Sequence, residues 1–177
     1  MSASRRPATA KNADDAREPL IQQVAVGIIL PLRHAVLRAG LPLESACFPG
    51  DQLASTIHLA ARAGDQVLAC ATYLASPYDG EPAYQLRGMA TAPAVQGTGL
   101  GRRLLIHAEG LLDAAIGLRW CNARLTAIGF YARLGWTVAS DVFDIPTAGP
   151  HRRMIRRLAA QPTPQPDSAP GGIAPPR

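Results

Sequence analysis

A single lysine, Lys11, in 177 residues is the sharpest shortage in this chain. A phosphate-binding loop of the form G-x-x-x-x-G-K-[ST] needs a lysine at its end. Lys11 lies far from every glycine-rich segment, so that nucleotide-binding reading is excluded. Cysteine is nearly as scarce. Cys47, Cys70 and Cys121 are odd in number and widely spaced, which fits neither a disulfide framework nor a zinc site. Reduced thiols and a cytoplasmic location are therefore expected, with no metal. Aromatic residues are only 5% of the chain and no DNA- or RNA-recognition motif is present, so no nucleic-acid partner is expected. No apolar run approaches the length of a membrane span, and no segment has the basic, apolar, small-residue order of a secretory signal.

What is present is a core and a positive balance. Hydrophobic residues make up 47%, and the formal charge is +5, with arginine supplying all but one of the eighteen basic residues. Such a surplus suits a polyanionic ligand as well as it suits nucleic acid. The length fits one domain. Residues 1–19 show no periodicity, and 161–177 hold six prolines and two glycines, so both are read as disordered flanks of a domain over 20–160.

The pattern within that domain predicts a first strand over 21–27 and a helix over 28–39. Strands follow at 55–62 and 66–75, joined by a turn at Gly64-Asp65. A strand from Tyr84 to Thr91 leads to a glycine-rich loop. Apolar residues from Leu100 to Ala115 then mark one helical face, with a stop near Gly117. A strand over 118–124, a short helix over 125–134 and strands over 136–145 and 151–158 complete the order. This order predicts an α/β domain with a mixed, largely antiparallel sheet flanked by helices.

The loop is Val95-Gln96-Gly97-Thr98-Gly99-Leu100-Gly101, followed by Arg102 and Arg103. Its glycines let a ligand approach the backbone, and the helix that follows offers unpaired N–H groups and a positive dipole end. The dinucleotide spacing G-x-G-x-x-G fails by one, because Arg102 stands where the third glycine is needed. Instead, Gln96, Gly99 and Gly101 give Q-x-x-G-x-G. Downstream, Asn122-Ala123 precedes Phe130-Tyr131 and Leu134-Gly135-Trp136.

This pair of segments, covering 84–136, resembles the GNAT superfamily of N-acetyltransferases, and the element order over about 20–158 is compatible with its fold. The resemblance implies an acetyl-CoA-dependent N-acetyltransferase acting on an amine acceptor by direct transfer in a ternary complex. It implies that Gln96, Gly97, Thr98, Gly99, Leu100, Gly101 and Arg102 bind the pyrophosphate. Met89, Ala90 and Thr91 would run beside the pantetheine arm, and Asn122 would bond that arm or a water, or else cap its strand. Tyr131 would be the general acid that protonates the departing thiolate, with a packing role as the alternative. Gly88, inside a strand, marks either a close backbone approach or relief of core crowding. A non-catalytic acyl-CoA-binding module on the same scaffold, recruiting a partner through its proline-rich tail, remains the alternative function.

The general base is less defined. His151, Asp144, Glu81 and a water chain are candidates, and His151 is preferred because imidazole takes a proton near neutral pH. Arg87 and Asp144 are candidates to orient the acceptor. His34, His58 and His107 read as ordinary. Segments 41–52 and 76–83 are expected to border the acceptor cleft. Their Glu44, Asp51, Asp79 and Glu81 either attract a cationic amine or are solvated loop charge. The acceptor and the oligomeric state, homodimer included, are left open.

Overall fold

The computed structural model describes residues 18–158, so the flanking segments over 1–17 and 159–177 lie outside the described residues. Eight strands form one sheet, in the order β1-β2-β3-β4-β5-β8-β6, with β7 also pairing β8. The strands are β1 (Leu20–Gln23), β2 (Ile57–Ala63), β3 (Gln66–Ala75), β4 (Ala83–Thr91), β5 (Leu118–Arg124), β6 (Thr137–Val138), β7 (Phe143–Ile145) and β8 (Gly149–Arg157). Helices α1 (Val26–Leu37), α2 (Leu100–Glu109) and α3 (Ile128–Ala132) flank them. Every pairing is antiparallel except that of β4 with β5.

Helices cover both faces of the sheet, which is why β2 and β3 are apolar at nearly every position. Alternate residues serve the two cores. Leu59, Ala61, Ala69, Ala71 and Tyr73 meet Leu100, Leu104, Leu105 and Ala108 of α2. Ala60, Cys70 and Ala90 face Ile29 of α1 on the opposite side. Each fully buried leucine of α2 adds about 1.5–3 kcal/mol of transfer free energy.

Three elements differ from the sequence pattern. The strand predicted over 21–27 ends at Gln23, because Val26 and Gly27 already form the first turn of α1. The helix predicted to run to Gly117 ends at Glu109. Leu112 is still buried, so the apolar periodicity reports burial, but residues 110–117 fold as turns. The N–H of Leu111 bonds Ala108 O at 2.9 Å, and the Asp113 carboxylate accepts from Ala115 N–H at 2.9 Å, giving the backbone an alternative to helix. The strand predicted over 136–145 is divided into β6 and β7, both on the same edge of β8. Between them Ser140 Oγ accepts from Arg153 N–H at 2.8 Å, replacing a ladder bond with a side-chain bond.

The pairing that matters for a site is β4 with β5. It covers only Ala83–Gln85 against Leu118–Trp120, after which the two strands separate. From Leu86 onward the β5-facing backbone groups of β4 have no strand partner among the described residues, and a cleft opens there.

Candidate active site

Two adjoining cavities occupy the cleft. The larger, of about 810 Å³, is lined by Met89, Ala90 and Thr91 of β4, by the glycine loop and by Arg102. The smaller, of about 330 Å³, is lined by Asn122 and Arg124 of β5, His151 of β8, Arg87 and Gly88 of β4, and Arg38 and Phe48 from the α1 side. Met89, Ala127 and Tyr131 line both, so the two cavities meet at these three residues.

The larger cavity has the chemistry of an anion site. Gly97 and Gly99 take φ of +78° and +85°, values that side chains with a Cβ adopt rarely. The first backbone bond of α2 runs from Arg103 N–H to Gly99 O at 3.0 Å. The N–H groups of Leu100, Gly101 and Arg102 therefore lack helical acceptors and point out of the helix end. Gln96 does not face the cavity with its amide free: Nε2 donates to Thr91 O at 3.0 Å, tying the loop to β4. Thr98 donates to Val95 O at 2.8 Å and shapes the turn without lining the cavity. Gly101 lets α2 approach β4, since a Cβ there would lie 3.1 Å from Met89 Cε.

Tyr131 sits at the junction. Its ring packs edge-on against Phe130 and Trp136, and its hydroxyl lies 3.6 Å from Met89 Sδ. Burial, with Cys121 and Tyr73 nearby, pushes its pKa well above the ordinary value of a phenol. A phenol of ordinary pKa is already protonated at neutral pH, and burial keeps this one so. Asn122 lines the smaller cavity, and its buried Oδ1 has no hydrogen-bond partner among the described residues. A buried acceptor left unpaired is costly, so this oxygen is open to a ligand N–H or a water.

His151 is almost fully buried at the mouth of β8, stacked against Phe143. Its Nδ1 lies 2.7 Å from Gly149 O, an acceptor only. Nδ1 must therefore carry the proton, which leaves Nε2 as the basic nitrogen. Asp144 and Glu81 are not among the residues lining the smaller cavity. Glu81 instead forms a paired bond with Arg157 at 2.7 and 3.0 Å, which holds its carboxyl below the usual range.

The acidic residues of the two bordering segments separate on the structure. Asp51 is neither solvated nor free to attract an amine. It is buried, with Oδ2 accepting from Arg33 at 2.5 Å and Oδ1 from Arg87 at 3.0 Å. Segment 41–52 borders the smaller cavity through Phe48 and Pro49, whereas 76–83 contributes none of its lining. His58 has a structural role: its ring nitrogens contact Thr72 Oγ1 and Asp51 O, both at 2.9 Å.

Sequence reasoning missed three residues here. Arg33 lies on the inward face of α1, where a leucine would be expected, and is fully buried. Arg38 and Arg124 both reach the smaller cavity. For Arg124 a signal existed, because it lies two positions beyond Asn122 on the same face of β5.

The chain is similar to several known proteins. The model of the acetyltransferase (GNAT) domain matches residues 54–138. An uncharacterized N-acetyltransferase of Bacillus subtilis (strain 168), YitI, is 32% identical over 145 residues, spanning 78% of this chain and 95% of that protein. The solved structure of Escherichia coli ElaA has a TM-score of 0.60 at 21% identity, covering 78% of this chain and 99% of that one. An aminoglycoside 6'-N-acetyltransferase complexed with coenzyme A gives 0.64 at 12% identity, covering 81% and 99%. A family acetyltransferase from Elizabethkingia anophelis with acetyl-CoA bound gives 0.58 at 14%, covering 80% and 99%.

Proposed function

The chain belongs to the GNAT acetyltransferase family, and from that premise we propose that it is an N-acetyltransferase moving an acetyl group from acetyl-CoA to a primary amine by direct attack in a ternary complex. The observation that carries this reading is the junction: the anion-binding cavity and the smaller cavity meet at Met89, Ala127 and Tyr131. Acetyl-CoA fits the larger cavity by charge and size, its pyrophosphate against the N–H groups at the start of α2 and Arg102. Its pantetheine amides find acceptors and donors among the β5-facing backbone groups of β4 beyond Leu86, which have no strand partner among the described residues.

Each proton then has a place. His151 Nε2 takes the first proton from the acceptor ammonium, freeing the nitrogen lone pair. The nitrogen bonds to the thioester carbon, and a β4 backbone N–H stabilises the charge on the carbonyl oxygen. As the adduct collapses, the C–S bond breaks and the nitrogen passes its second proton to solvent, where His151 also releases the first. Tyr131 Oη gives its proton to the thiolate and recovers one from solvent. One amide, one free thiol and one released proton result. Cys70 and Cys121 are buried, and burial raises both thiols, Cys70 to about 11, so neither serves as an acetyl-carrying nucleophile. The three cysteines are free thiols, which supports a reducing, cytoplasmic setting.

Calorimetric titration with acetyl-CoA, followed by a thiol-release assay across a panel of amines, tests the proposal. Binding plus amine-dependent thiol release is expected. Absence of binding at millimolar acetyl-CoA overturns it, and binding without thiol release from any amine favours the non-catalytic module.

A further inference from the structure

The smaller cavity is lined by three arginines, Arg38, Arg87 and Arg124, and by no carboxylate. Asp51, the nearest acidic group bonded to any of them, is shared between Arg87 and the fully buried Arg33. One carboxylate thus answers two guanidiniums behind the cavity wall. Arg38 and Arg124 have no carboxylate partner among the described residues.

These two also converge. Arg38 Nη1 donates to Leu37 O at 3.0 Å and Arg124 Nη2 donates to the same oxygen at 2.8 Å. The last carbonyl of α1 supplies a fraction of a negative charge, which offsets only part of two full positive ones. Arg38 spends Nε on Ser45 O at 3.3 Å. Its Nη2, and the Nε and Nη1 of Arg124, have no acceptor among the described residues. Arg38 also titrates below its ordinary range, through partial burial and the proximity of Arg124. Like charges held together at a cavity wall with donors to spare are a receptor for an oxyanion.

Resting on the acetyltransferase reading above, we propose that the acceptor is a small amine that also carries an oxyanion, carboxylate or phosphate, held by Arg38 and Arg124 while its nitrogen faces the junction at Tyr131. A cavity of about 330 Å³ suits a molecule of amino-acid size. The same arginines repel polyamines and other polycations, since like-charge approach in a partly desolvated site is costly.

The test uses the full chain and compares matched acceptors: amino acids, their carboxamides, aminoalkyl phosphates, diamines, polyamines and aminoglycosides. The best anionic amine is expected to exceed its neutral analogue by roughly 30-fold or more in kcat/KM. Arg124→Gln and Arg38→Gln should each raise its KM by about tenfold with little change in kcat, and Arg124→Lys should recover part of the loss. Arg62→Gln, which alters a surface pair with Asp65, should change nothing. Melting curves of all variants separate lost folding from lost binding. The ratio of the carboxylate to the phosphate series identifies the oxyanion. Neutral or polycationic amines turned over as well as anionic ones, or unchanged KM in both glutamine variants, overturn this proposal while the acetyltransferase reading stands. Absence of acetyl-CoA binding overturns both. Where acetyl-CoA binds but no amine is acetylated, calorimetry of the acetyl-CoA complex with the amino acids and their carboxamides decides: tighter binding of the acids, lost in Arg124→Gln, supports the anion site, and equal binding overturns it.

Discussion

The guanidinium of Arg33 lies directly against the α-carbon of Gly88: a Cβ built on Gly88 would stand 2.7 Å from Arg33 Nε. Gly88 has φ of +57° within β4, where the β3–β4 register shifts between Cys70 and Thr72. The bulge and the buried arginine occupy each other's space. Arg33 is in turn fixed by Ala46 O at 3.0 Å, Asp51 Oδ2 at 2.5 Å and Thr72 Oγ1 at 2.5 Å. Gly88→Ala meets both a left-handed backbone and a side chain with nowhere to retreat. A loss of about 2 kcal/mol is expected, read from urea denaturation, together with a raised KM for acetyl-CoA because β4 lines its cavity. Wild-type stability in this variant would show that Arg33 is free to move.

Asp51 holds two guanidiniums together, so Asp51→Ala leaves the buried Arg33 without a counter-charge. The expected cost is about 3–5 kcal/mol. The double variant Arg33→Met, Asp51→Leu removes the fully buried pair, leaves only the partly exposed Arg87 without its carboxylate, and should recover part of that loss. Chemical denaturation of the single and double variants checks this, and a double variant as unstable as the single one would point to packing instead of charge.

Tyr131→Phe keeps the ring packed on Phe130 and Trp136 and removes only the hydroxyl. We expect kcat to fall by roughly 100-fold, with the acetyl-CoA dissociation constant nearly unchanged by calorimetry. Unaltered kcat would assign thiolate protonation to another group. A substrate series with thiol leaving groups of lower basicity should narrow the gap between variant and wild type.

Tyr73 and Tyr131 are both buried phenols with pKa raised by desolvation. Below about pH 10 both states keep these protons. Above it the unfolded chain loses them first, so stability falls as pH rises toward the folded values. The Tyr73 hydroxyl has no hydrogen-bond partner among the described residues. Tyr73→Phe is therefore expected to be neutral or stabilising by about 1 kcal/mol at pH 7 and to reduce the alkaline slope. Melting temperatures from pH 7 to 11 test both points.

Gly99 takes φ of +85° at the start of α2. Gly99→Ala strains that turn by about 1–2 kcal/mol and reorients the N–H groups of Leu100 and Gly101. The KM for acetyl-CoA should rise about tenfold with kcat largely retained, because Tyr131 and His151 are on other elements. A fall in kcat alone would place the loop in the chemistry rather than in binding.

Much of the larger cavity was legible because its parts are local. Gln96 to Arg102 are contiguous, and a glycine turn that opens a helix exposes N–H groups whatever surrounds it. Tyr131 stood out through the segment from Asn122 to Trp136. The end of α2 is not legible in the sequence, because Leu111 and Leu112 continue an apolar rhythm that turns satisfy as well as helix does. Asp51 is neither an attractor of amines nor solvated loop charge, the two readings its sequence allows; nothing near it in sequence reveals Arg33 and Arg87, its partners 18 and 36 positions away.

By itself, then, the sequence determined the main alternation of strands and helices, the glycine turn that opens α2 and the segment bearing Tyr131, since each follows from neighbours within a few residues. Only the tertiary structure decided where β4 leaves β5, that Arg33 fills the space over Gly88, and that Arg124 meets the end of α1 across 87 positions. Those features come from strand register and from which charges share one cavity. Burial and Coulomb energy depend on distance in space, which chain separation does not encode.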